Sequence, residues 1–163
     1  MLRKKLILLG ATEVGKTSLM ARWVRGIFSE KYIATIGVKI EKKNLQINNE
    51  DLMLQIWDLQ GESESKGPFQ AYIRGAAGCI FIADGTRPET LQYVLGIRGQ
   101  ILRELGDIPS VLVLNKADRS EDWKLSTKDI STMEKENWEV FRTSAKSGLG
   151  VDSAFLNLSR KLL

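Results

Sequence analysis

A chain of 163 residues with 43% apolar content is long enough for one domain with a sizeable core. Its net charge of +4 comes from 24 basic and 20 acidic residues that are interleaved rather than blocked, which speaks against a nucleic-acid partner. The absence of any histidine excludes imidazole-based mechanisms and histidine metal sites, so a metal here is a hard cation held by oxygen.

Met1-Leu2-Arg3-Lys4-Lys5 is the one basic cluster and reads as the flank of a strand predicted over 3–9. Directly after it, Gly10-Ala11-Thr12-Glu13-Val14-Gly15-Lys16-Thr17 has the form GxxxxGK followed by threonine. Glycines at those places let the backbone turn tightly, so that successive N–H groups point inward around the phosphates of a nucleotide. Thr12, Glu13, Val14, Gly15, Lys16, Thr17 and Ser18 are therefore expected to form the cradle. Lys16 would reach the β- and γ-phosphates, and the Thr17 hydroxyl would ligate Mg2+. A helix is predicted over 16–25.

Strands at 38–47 and 51–57 flank Asn48-Asn49-Glu50-Asp51, which has turn chemistry, so the two are expected to form an antiparallel hairpin. After Trp57 comes Asp58-Leu59-Gln60-Gly61, a DxxG spacing. A carboxylate at a strand end can hold Mg2+, and a glycine three residues on lets its N–H approach a terminal phosphate. A helix near 65–74 precedes a strand at 77–83 that contains the single cysteine, Cys79, read as a buried small hydrophobe. With no signal-peptide pattern and no apolar run approaching 18 residues, a soluble cytoplasmic protein without internal disulfides is expected.

A helix over 88–104 leads to a strand at 109–114, which runs into Asn115-Lys116-Ala117-Asp118, an NKxD form. The Asp118 carboxylate can accept from N1–H and the 2-amino group of guanine, which adenine does not present in that arrangement. Asn115 would tie this loop to the phosphate loop, and the Lys116 stem would lie along the base. A helix at 126–136 and a strand at 138–142 precede Thr143-Ser144-Ala145-Lys146, where the Ala145 N–H could donate to guanine O6. In a last helix, over 151–162, Val151, Ala154, Phe155, Leu158 and Leu162 share one face.

This order describes a single α/β domain over 1–163. Its six-stranded sheet is mostly parallel with one antiparallel hairpin strand, and five helices flank it. The strands outside the hairpin read as buried on both faces. Ligands of such sheets bind beyond the carboxyl ends of the strands, so the loops after residues 9, 57, 114 and 142 are expected to converge.

On these motifs the chain resembles the Ras-superfamily small GTPases, with a P-loop NTPase G domain. Within them it is most similar to the Rab branch, through Ile36-Gly37-Val38, Leu54-Gln55-Ile56-Trp57-Asp58, Tyr72-Ile73-Arg74-Gly75-Ala76-Ala77-Gly78, Asp84 and Thr86-Arg87. The resemblance covers essentially the whole chain. It implies a guanine-nucleotide switch that binds GTP or GDP with Mg2+ and hydrolyses GTP, through Lys16, Thr35, Gly61 and the residue at position 62. The implied metal ligands are Thr17, Thr35 and Asp58. The implied nucleotide contacts are the cradle, Phe28, Thr35, Gly61, Asn115, Lys116, Asp118, Ser144, Ala145 and Lys146. Effector, exchange-factor and activating proteins would engage residues 28–38 and 59–75, and the chain would be a monomer.

Three departures stand out. Where the family has DTAGQ, this chain reads Asp58-Leu59-Gln60-Gly61-Glu62. The family's glutamine orients the attacking water with an amide that donates and accepts; ionised Glu62 only accepts. Two like charges about 5 Å apart repel by roughly 3 kcal/mol at an effective dielectric near 20, so Glu62 would swing away or take up a proton, and intrinsic hydrolysis would be slow. The competing reading makes Glu62 a general base that keeps or raises the rate, or, at the other extreme, the protein is a scaffold that binds nucleotide without cleaving it. Thr12 and Glu13 are larger than the small residues common in the loop, and Glu13 reads as an exposed residue at its tip. The chain also stops at Arg160-Lys161-Leu162-Leu163 without a lipidation motif. That fits either a lost tail or a soluble Rab-like form such as the Ras-like GTPases of prokaryotes.

Overall fold

The computed structural model describes residues 1–31, 37–59 and 68–163. Among them a central sheet has the strand order β2-β3-β1-β4-β5-β6, formed by β1 (Leu2–Leu9), β2 (Val38–Ile47), β3 (Glu50–Leu59), β4 (Gly78–Asp84), β5 (Ser110–Asn115) and β6 (Val140–Arg142). Only the β2–β3 pair is antiparallel. The described helices are α1 (Lys16–Arg25), α2 (Pro68–Ile73), α3 (Pro88–Leu105), α4 (Thr127–Lys135) and α5 (Val151–Arg160).

Sequence periodicity explains the layering. Along β1, Leu6 and Leu8 join one core and Ile7 and Leu9 the other, as alternation requires. The first core closes under α1 and α5, where Trp23 stacks on Phe155 with ring centroids 4.4 Å apart. The expected stripe Val151, Ala154, Phe155, Leu158 and Leu162 is buried there. The second closes under α2, α3 and α4, with Phe81 meeting Trp138 edge to face at 5.2 Å. Cys79 lies within this layer, and burial pushes its thiol pKa up.

The hairpin turn is tighter than expected. Asn48 and Asn49 both have positive φ, 53° and 66°, and Ile47 pairs directly with Glu50, so the connection is a two-residue turn and Glu50 and Asp51 already belong to β3. Burial on both faces holds for β4, for most of β5 and for Leu6–Leu9 of β1, but not for the first half of β1 or for β6. β6 is a partly exposed edge strand, and β3, after two exposed residues, alternates between buried and half-buried positions as far as Asp58. β3 also extends to Leu59, which places Asp58 inside the strand, fully buried.

Candidate functional site

The parallel strands β1, β3, β4 and β5 end on one side of the sheet, and a cleft of about 990 Å3 opens there. It is lined from one end by Thr12, Glu13, Gly15, Lys16, Thr17 and Ser18, and from the other by Asn115, Lys116, Asp118, Ala145 and Lys146, with Phe28 and Asp58 between.

The phosphate-loop end follows from local backbone rules. Gly15 holds φ +104° and caps α1, and a Cβ at that position would sit 2.3 Å from the Asn115 amide nitrogen. Helix α1 starts with no side-chain cap and no acid in its first turn, whereas α3, α4 and α5 carry Glu89, Asp129 and Asp152 there. Its N-terminal N–H groups therefore face the cleft without a competing carboxylate from their own helix. Lys16 is buried, and its Nζ donates to the Gly10 and Ala11 carbonyls at 2.8 and 3.2 Å. Glu13 adopts positive φ and is exposed at the loop tip. The Val14 side chain does not reach the cleft: it is fully buried in the α1/α5 core, and its contribution is a backbone one.

Below the loop the Thr17 hydroxyl donates to Asp58 Oδ2. A hydroxyl and a carboxylate in contact at the edge of a phosphate loop are hard oxygen donors that suit Mg2+, which takes few protein ligands and completes its shell with phosphate and water. No group of three or more Cys, Asp or Glu able to form an all-protein metal cage occurs among the described residues.

The other end is organised by Asn115. It is buried, its Nδ2 donates to the Val14 carbonyl at 2.9 Å, and its Oδ1 accepts from Thr143 Oγ1 at 3.0 Å and Ala145 N at 3.3 Å. One side chain thus joins the phosphate loop, β5 and the loop after β6. Ser144 is buried and outside the cleft lining; its Oγ donates to Asp118 Oδ1 at 2.7 Å and orients that carboxylate. Lys116 lines the cleft with its stem, while its Nζ crosses to the Glu13 carbonyl at 2.8 Å and to Asp84 Oδ2 at 2.9 Å. Lys146 pairs with Glu30 at 3.0 Å across the mouth, which raises its pKa.

Several supporting residues have roles that the sequence did not assign, although Asp84, Thr86 and Arg87 belong to the motifs it matched. Arg22 on α1 donates through Nε to the Ala145 carbonyl at 2.8 Å and through a terminal nitrogen to the Lys146 carbonyl. Asp84, buried at the end of β4, accepts from Thr86 N and Oγ1 and from Arg87 Nε, and Arg87 donates onward to the Thr12 carbonyl at 2.9 Å. Burial by itself would raise the Asp84 pKa; hydrogen bonds from Thr86, Lys116 and Arg87 outweigh it and hold the carboxyl below its ordinary value. Thr35, Gly61 and Glu62 lie outside the described residues, as do 32–36 and 60–67 generally.

This sheet order, with a phosphate loop after β1 and a base-side loop after β5, is that of a Ras-like P-loop GTPase. The chain belongs to the Ras family, whose model matches residues 5–163. It is 32% identical to the Ras-related protein Rab-13 of Rattus norvegicus over 161 residues, covering 98% of this chain and 79% of the rat protein. It is equally 32% identical to the Ras-related protein Rab7 of Drosophila melanogaster over 171 residues, covering 98% of this chain and 80% of that one. It is a Rab-like small GTPase and so a GTP-binding switch of a family that uses Mg2+ and works with effector, exchange and activating proteins. No helix among the described residues is long and apolar enough to cross a membrane.

Proposed function

We propose that this chain binds GTP and GDP in the 990 Å3 cleft and hydrolyses GTP slowly until an activating protein assists. The observation that supports the placement is the Asn115 bridge, which sets the phosphate loop and the Asp118–Ala145 loops at the two ends of one cleft.

Thr12 to Ser18 cradle the phosphates, and Lys16 turns its ammonium from the Gly10 and Ala11 carbonyls to the β- and γ-phosphate oxygens. Asp118, aligned by Ser144, accepts from the guanine edge, and the Ala145 N–H, whose contact with Asn115 is long, donates to O6. Phe28, Lys116 and Lys146 flank the base. Thr17 and Asp58 hold Mg2+, joined by Thr35 in the GTP state; when bound, the ion supplies positive charge to the phosphate oxygens. Thr35 and the Gly61 N–H order residues 28–38 and 59–75 against the γ-phosphate, and effectors read those segments.

Glu62 supports slow turnover, because a carboxylate beside the γ-phosphate neither donates to the attacking water nor tolerates the charge. The same residue supports a second reading, a scaffold that holds nucleotide without cleaving it. Single-turnover phosphate release from GTP-loaded protein tests both, comparing wild type with Glu62→Gln. Slow release accelerated by glutamine is expected. No release from either protein would favour the scaffold, an unchanged measurable rate would remove the handicap assigned to Glu62, and failure to bind either guanine nucleotide would sink the whole reading.

A further inference from the structure

The segment that carries Asp118 leaves β5 at Asn115 and returns to α4 through Trp123, and its two ends meet at one backbone point. Gly85 N donates to the Asn115 carbonyl at 3.0 Å, and the Gly85 carbonyl accepts from Lys124 N at 2.9 Å. The indole of Trp123 lies directly on that glycine. A Cβ at position 85 would fall 2.0 Å from one ring carbon and 2.3 Å from two others, so this seat exists only because residue 85 has no side chain. The ring is further held by its Nε1, which donates to the Leu125 carbonyl at 2.8 Å, and by the Arg142 guanidinium, 4.6 Å from the ring centroid. Between the two anchored ends the chain runs through consecutive turns, closed by Arg119 N to the Lys116 carbonyl and Asp122 N to the Arg119 carbonyl. Asp118 sits in the first of these, so a shift of the returning end passes to its carboxylate.

We propose that Trp123, seated on Gly85, is a positioning residue for guanine recognition that acts through residues 116–124 on Asp118; this rests on the guanine-nucleotide reading above. Ser144 holds one carboxylate oxygen from the β6 side, and Trp123 sets the plane of the loop from the β4 side. Two hydrogen bonds to one base edge need that plane, and tilting it weakens the bond to the exocyclic amino group.

The test compares release of GDP and of IDP, which lacks that amino group, from wild type, Trp123→Ala and Trp123→Phe. Trp123→Ala is expected to release GDP roughly tenfold faster while IDP release changes far less, so that the GDP/IDP ratio collapses. Trp123→Phe, which keeps a ring on Gly85, is expected to restore most of the ratio. If Trp123→Ala loses its far-UV circular dichroism, Trp123→Leu is read in its place with the same expectation. Equal acceleration for both nucleotides, or an unchanged ratio, would overturn the proposal by reducing Trp123 to general packing. Failure of the wild type to bind GDP would instead overturn the guanine-nucleotide reading and is seen before any variant is made.

Discussion

Asn115→Ala should do more damage than the loss of a single surface amide. The side chain is buried, and its two shorter bonds, 2.9 Å to the Val14 carbonyl and 3.0 Å from Thr143 Oγ1, are both away from solvent. Each buried group left unpaired costs about 1–3 kcal/mol, and allowing the two sites to relax together gives about 3 kcal/mol in all. For a domain of this size that corresponds to a melting midpoint lowered by roughly 6–12 °C. If about half of it is expressed in the nucleotide complex, GDP binds roughly tenfold more weakly. Thermal unfolding and GDP dissociation kinetics measure the two effects separately. Asn115→Asp is the informative companion: it keeps the acceptor for Thr143 and Ala145 but sets a carboxylate oxygen against the Val14 carbonyl, and is expected to be at least as harmful. A midpoint within about 2 °C of wild type for Asn115→Ala, with unchanged GDP release, would refute the assignment of Asn115 as the tie between the two ends of the cleft.

Gly15→Ala should cost about 2–3 kcal/mol in stability, from a left-handed backbone and a methyl 2.3 Å from the Asn115 amide; a melt close to wild type would contradict that geometry. Asp84→Asn should destabilise by about 2 kcal/mol at neutral pH, below the range for fully buried pairs because Arg87 and Lys116 remain partly exposed. Since the folded pKa of Asp84 is depressed, its contribution is present above the ordinary aspartate pKa and lost as pH falls through the folded value. The variant's denaturant midpoint should accordingly fall less than that of wild type as pH drops below about 4. Glu30→Ala removes an exposed partner of Lys146, so GDP release should rise by no more than about fivefold, less at high salt, and a larger change would mean that the pair latches the cleft.

Much of the candidate site was legible because its parts are contiguous. A strand followed by GxxxxGK and threonine encodes its own turn, and NKxD at the end of an apolar run announces both a strand terminus and a carboxylate at the cleft. Ser144 and Val14 were legible as positions but not as contacts: one turned out to steer Asp118, the other to fill the core. Arg22, the Asp84–Arg87 pair and Trp123 could not be weighed from the chain alone. Each acts on residues distant in sequence, as with Arg22 on Ala145, Arg87 on Thr12 and Trp123 on Gly85.

The alternation of strands and helices, the phosphate loop, the NKxD motif and the unusual Glu62 can all be read from the amino-acid sequence, because periodicity and short-range backbone chemistry are written in neighbouring residues. The tertiary structure alone decided which loops meet. The order β2-β3-β1-β4-β5-β6 brings β1, β4 and β5 side by side, and only that adjacency lets Asn115 span two loops, Asp84 gather two cations and Trp123 rest on a bare glycine. Such contacts depend on strand neighbours chosen by burial of two hydrophobic layers at once, a property of the whole fold that no local segment carries.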